Sequence, residues 1–163
     1  MTKLLPLSAL ALSLFATAAG AQAVRTEKNM SLDLANQIAT AAVAVCTANG
    51  YAVAATVVDR AGLVRAVQRA DNAGAHTLAS SQQKAWTSAS AKNTTLAMME
   101  GAQKNPAAAN LVYLPGFLLL GGGVPVKVGN ETIGAVGIGG APGGHLDEQC
   151  AMAALAKVQD QLK

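Results

Sequence analysis

The stretch from Phe117 to Gly144, FLLLGGGVPVKVGNETIGAVGIGGAPGG, constrains the fold more than any other. It reads as three short apolar strands. Gly121 to Gly123 break the first from the second, and Gly129-Asn130-Glu131 turns the second into the third. Runs this poor in charge belong in the centre of a sheet covered by helices. The glycines mark sharp backbone turns or close approach by another group. The stretch holds no nucleophile, paired carboxylate or metal-ligand cluster, so it speaks to fold and not to reaction.

At 163 residues the chain is expected to form one domain. Its first residues read as a secretory leader. Lys3 supplies the positive end, Leu4 to Thr17 is an apolar run, and Ala19-Gly20-Ala21 fits a small-residue cleavage site. A second cut fits after Ala23. The run is short for a membrane span of about 20 residues, and no stop-transfer flank follows. The expectation is a cleaved leader over residues 1–21 and a domain over 22–163, exported to the periplasm or beyond, with no membrane association after cleavage.

Without Lys3 the net charge falls from +3 to +2, and the remaining charges form no run. Nucleic-acid binding, which calls for clustered Lys and Arg with interleaved aromatics, is not expected. Cys46 and Cys150 are too far apart for a zinc knuckle. In an exported chain they are either bridged or two buried thiols. A bridge would close a loop of about 105 residues, which chain entropy values at about 4–5 kcal/mol.

Ser31 reads as the N-cap of a first helix, with Asp33 in its first turn. Leu34, Ile38, Ala42 and Cys46 recur along one face, and Asn49-Gly50 stops it. Tyr51 to Asp59 and Leu63 to Arg69 read as a β-hairpin across Asp59-Arg60-Ala61-Gly62. Arg65 and Arg69 would share a face of its second strand with Leu63 and Val67. A helix follows from His76 to Lys92, a second restarts at Asn93-Thr94, and Asp147-Glu148 opens the last. With tight turns at both strand groups, the pattern is an α+β domain: one five-stranded antiparallel sheet with helices packed on it.

The strings Val58-Asp59-Arg60-Ala61-Gly62, Arg69-Ala70-Asp71-Asn72-Ala73, Lys84-Ala85-Trp86-Thr87-Ser88, Gly122-Gly123-Val124-Pro125-Val126 and Ile133 to Gly140 resemble, in order, the motifs of the GlcG/HbpS family. That family takes in haem-binding extracellular proteins, the glycolate-operon protein GlcG and the C-terminal domain of PduO. The resemblance implies a profilin-like fold, assembly into a homo-oligomer, often of eight subunits, and haem as cofactor, with haem handling or redox sensing in some members. Three positions depart from the family pattern: Ala70 stands for Met, Asn72 for Gly and Gly139 for Ser.

Haem needs an axial ligand, an apolar slot and cations for its propionates. His76, at the start of a helix, is the candidate iron ligand, or else a polar residue of a first turn. His145, between Gly144 and the acidic start of the last helix, is a second candidate or a solvated loop residue. Tyr113, before Pro115-Gly116, is a third or simply packs at a loop. Arg65 and Arg69 suit propionates because guanidinium binds carboxylates through two parallel bonds; their alternative is a local pair with Asp59 or Asp71. Lys84 is either an anion-binding group on the helix face or a surface lysine. Gly137 to Gly143 fails the dinucleotide spacing, and Pro142 stands where a helix should open.

The leading expectation is therefore an exported, oligomeric haem-binding protein. An enzyme acting on a small anionic metabolite through Arg65, Arg69, Lys84 and His76 is the alternative, and a ligand-free structural oligomer is the third.

Overall fold

A computed structural model of the protein describes residues 23–163; the expected leader, residues 1–21, lies outside them. The chain folds as α1 (Leu32–Ala48), β1 (Ala54–Asp59), β2 (Val64–Arg69), α2 (His76–Ala91), α3 (Thr95–Lys104), β3 (Gly123–Val128), β4 (Glu131–Gly139) and α4 (Gly144–Lys157). The strands form one antiparallel sheet in the order β2-β1-β4-β3. No helix among the described residues is long and apolar enough to cross a membrane.

Four strands form where five were expected. The missing one is Phe117–Leu120, and side-chain hydroxyls explain its absence. The Leu118 amide donates to Thr87 Oγ1 at 2.9 Å, and the Leu120 carbonyl accepts from Thr95 Oγ1 at 2.7 Å. These bonds tie the segment to α2 and α3, so two of its backbone groups pair with side chains where a ladder would have used them.

Local chemistry sets the helix ends. Ser31 Oγ accepts from the Leu34 amide, and Thr94 Oγ1 accepts from the Ala97 amide. Lys92 closes α2 in the left-handed conformation, at φ 55. At the other end of the molecule, Arg60 fastens the incoming chain to both hairpin turns, pairing with Glu27 and Glu131 at 3.1 Å each.

Helices cover the sheet on both faces. On one face, Leu34, Ile38 and Ala42 of α1 and Ala151 and Ala154 of α4 pack on Ala55, Val57, Val136 and Ile138. A disulfide between Cys46 and Cys150, both buried, joins these two helices. On the other face α2 lies over β4, β1 and β3, with Ala85 and Ala89 against Val58 and Ala135. This contact is made at backbone distance: a Cβ at Gly137 would run into the Ser81 carbonyl, and one at Gly123 into the Lys84 carbonyl. Here the glycines serve close approach, as the sequence suggests.

The position of α2 leaves a strip of sheet uncovered. β2 is an edge strand with few contacts to α2. Val67 and Arg69, opposite Thr56 and Ala54, sit on the α2 side of the sheet with no helix above them.

Candidate functional site

Four elements meet at one end of the sheet. β2 ends at Arg69, the Ala70–Ala75 loop leads into α2, β4 ends at Gly139, and α4 begins at Gly144. Arg69 Nε donates to the Ala73 carbonyl at 2.9 Å, and Thr77 Oγ1 donates to the Gly74 carbonyl at 2.7 Å. These two bonds fix the loop that presents His76. Asn72, the residue that replaces the family's glycine, sits at φ 64, where asparagine is the best-tolerated non-glycine. Gly140 packs against Thr77, so the β4–α4 loop passes beside the first turn of α2.

Both histidines are exposed, and both fold back over a glycine two residues earlier. A Cβ at Gly74 would stand 2.8 Å from His76 Cε1, and one at Gly143 would stand 2.8 Å from His145 Cε1. Neither ring is committed to the core. Leu78, in the first turn of α2 after His76, is 41% exposed, and Val67 of β2 is 46% exposed. His76, Val67, Arg69 and Leu78 are thus all accessible, on the strand, loop and helix start that border the uncovered strip, and they offer apolar and cationic groups there.

The remaining candidates stand elsewhere. The register shifts between Val57 and Val58, so Arg65 is the extra, unpaired residue of β2. Its Nε donates to Asp59 Oδ2 at 3.2 Å, so only Val67 and Arg69 keep in step along the strand. Tyr113 is 80% exposed in a 3-10 turn, Ala109–Tyr113, that packs on α3 and not on β2. No group of three or more His, Cys, Asp or Glu able to hold a metal occurs among the described residues.

Lys84 is neither on the surface nor open to an anion. It is 1% exposed, and its Nζ donates to Asp147 Oδ2 at 2.7 Å and to the Ile138 carbonyl at 2.8 Å. Asp147 Oδ1 in turn accepts from the Ala141 amide at 3.0 Å. The lysine leaves the helix on its sheet-facing side, where α2 packs on glycine backbone and its ammonium reaches the strand carbonyl. Burial pushes the Asp147 carboxyl up, and the Lys84 ammonium pulls it back.

Sequence reasoning missed the roles of Asp147 and Glu148, reading them as helix-start acids. Glu148 Oε2 is buried without a hydrogen-bond partner. Burial pushes its carboxyl above the ordinary 4.5, against the opposing pull of the Leu96 amide and the Thr94 hydroxyl. A carboxyl whose folded pKa is raised adds most stability when protonated, and that contribution is lost as pH rises through the folded value. Lowering the pH from neutrality toward 4.5 is therefore expected to raise the melting temperature through this group. Glu148→Gln should gain stability at neutral pH and show a flatter profile. Thermal melts across this range check both, and identical profiles for the two proteins would refute the assignment.

A family model described as haem degrading protein HbpS-like matches residues 30–156. The chain belongs to this HbpS-like family. A double mutant of Streptomyces reticuli HbpS is 33% identical, with a TM-score of 0.79 over 86% of this chain and 94% of that one. Klebsiella pneumoniae protein ORFY is 30% identical, also at 0.79, over 83% and 94%. A PduOC:haem complex, 23% identical, shares the fold at 0.70 over 78% and 94%. No curated protein sequence matches the chain.

The HbpS-like fold also explains one departure in the motifs. A side chain at Gly139, where the family usually has Ser, would collide with Ser80 Oγ. In this chain a serine hydroxyl of α2 stands at that spot, and it would have to turn aside to admit a side chain at position 139.

Proposed function

We propose that this chain is an exported, homo-oligomeric haem-binding protein that serves haem handling or redox sensing. The observation that carries the reading is the uncovered strip beside α2. Val67 and Leu78 offer exposed apolar surface, Arg69 a cation on the same strand face, and His76 an imidazole free of the core. An apolar surface, a propionate partner and an axial nitrogen are what a haem requires of a protein. The residues fit the group: His76 would hold the iron and Arg69 a propionate, while Arg65, His145 and Tyr113 lie at greater remove or on other elements. When bound, haem would supply the redox chemistry. The names of the family and of the PduOC:haem complex support the same cofactor.

Titration of the purified protein with hemin tests the proposal. The expected result is a saturable Soret shift. His76→Ala should change the band's position, and Arg69→Ala should weaken binding by about 1.5–3 kcal/mol, the range for a charged hydrogen bond. A Soret spectrum that is the same with and without the protein would end the proposal, and an unchanged band in His76→Ala would end the ligand assignment. Light scattering reports subunit number, and the N-terminal residue of protein recovered from the exported fraction reports the cut after Ala21.

A second reading has one observation in its favour. An open cleft of about 590 Å³ is lined by Tyr51, Arg69, Asp71 and Asn72 together with the end of α1. It has room for a small anionic metabolite on Arg69, as substrate of an enzyme or as simple ligand. Thermal stabilisation by small organic acids, with none by hemin, would select this reading over the first.

A further inference from the structure

The side of α2 that faces away from the sheet carries Ala79, Gln82, Gln83 and Trp86, spaced i, i+3, i+4 and i+7 along one stripe. With Gly116 they line an open cleft of about 320 Å³ that shares no residue with the His76 patch. Trp86 is the only tryptophan of the chain and is half-buried.

Three neighbours hold the indole still. A Cβ at Gly62 would stand 2.8 Å from Cδ1, and one at Gly116 would stand 3.2 Å from Cζ3, so the two turns grip opposite ends of the ring. Both glycines have φ above +80, which keeps each turn in a conformation that other residues rarely adopt. The Phe117 ring meets the indole edge-on, with centroids 5.6 Å apart and planes at 82°. A ring fixed on three sides is a preorganised wall, which costs little entropy when a ligand packs on it.

The chemistry of the lining narrows the ligand. No charged side chain borders the cleft, so no charge is favoured in it. An aromatic wall favours a flat partner. Gln82 and Gln83 each carry two N–H donors and one carbonyl acceptor, a pairing that suits ring nitrogens and exocyclic amino groups. The volume lies at the lower end of small-molecule sites, roughly 300–1,000 Å³, and admits one or two fused rings.

We propose that this cleft binds an uncharged, planar heteroaromatic ring, packed on Trp86 and hydrogen-bonded by Gln82 and Gln83. The site is separate from the haem patch, and either can fail without the other. Trp86 emission reports on it directly, with adenine as probe and glucose as the non-planar control.

Titrating the disulfide-bonded protein with adenine should give a saturable change in emission with Kd below about 1 mM. Gln82→Leu/Gln83→Leu, altered only at exposed positions, should bind adenine at least about tenfold more weakly. Calorimetry on Trp86→Leu should show the binding heat lost, while Arg69→Ala should bind adenine as the parent does. The proposal is overturned if adenine gives no saturation, if the double glutamine variant binds equally well, if glucose replaces adenine, or if Arg69→Ala abolishes binding.

Discussion

Lys84→Ala should cost about 3–5 kcal/mol of stability, the range for removing one partner of a buried ion pair. Asp147 would then be left 2% exposed with no cation beside it. The Ile138 carbonyl would lose its only side-chain donor in the pair. The Ala141 amide bond to Asp147 would remain, but a single neutral donor cannot replace an ammonium 2.7 Å away. The loss should be largest at neutral pH and shrink as pH falls, because without Lys84 the effect of burial, the largest on the carboxyl, is opposed only by the Ala141 and Gly140 amides and favours the protonated form. Urea midpoints at several pH values measure it. Replacing both partners, Lys84→Met with Asp147→Leu, should cost much less than Lys84→Ala alone, since apolar pairs of similar volume often match a buried ion pair. A single variant within about 1 kcal/mol of the parent would contradict the clamp, since a surface lysine contributes no more than that.

The second large effect concerns Cys46 and Cys150. Their bridge spans 104 residues of sequence and ties the first helix to the last. Chain entropy puts a closed loop of that size at about 4–5 kcal/mol. Cys46→Ala/Cys150→Ala should lose about that much, and the parent protein under reducing conditions should lose a similar amount. Both thiols would otherwise sit in the core between α1 and α4, so the packing penalty of the alanines is small next to the loop term. Denaturation curves with and without reductant give the number. If reduction leaves the midpoint where it was, the bridge does not constrain the unfolded chain as described.

Much of the fold was legible because it is written in local chemistry. Ser31, Thr94 and Asn49-Gly50 each mark a helix end by what their own backbone or hydroxyl can do, and those signals held. The hairpin turns at Asp59–Gly62 and Gly129-Asn130 were equally clear, and so was the antiparallel order they impose. Phe117–Leu120 was misread because an apolar run says nothing about what will satisfy its backbone. Thr87 and Thr95, distant in sequence, take the hydrogen bonds that a fifth strand would have made.

The candidate site divides along the same line. His76 and Arg69 were singled out because they flank a recognisable loop, and they stand at its two ends in the fold. Lys84 was assigned to the wrong side of its helix. Its partner lies 63 residues away, and no periodicity reveals such a pairing. Trp86 gave no functional signal by itself. Its setting depends on two glycines at positions 62 and 116, each harmless in its own turn.

The covalent tie between α1 and α4 also decides how the molecule carries mechanical load. A pull on the two ends of the chain meets the Met30–Ile133 and Glu27–Arg60 contacts at the N-terminal side, and once it reaches Cys46 and Cys150 the bridge transmits it from one helix to the other. All four strands and both middle helices lie between the two cysteines in sequence, so the covalent path of tension through the bridge bypasses them. The His76 patch and the Trp86 cleft stay off that covalent path as long as the bond is oxidised, while β4 still feels the pull through the Met30–Ile133 hydrogen bond. Reduction would put the same pull across the sheet itself.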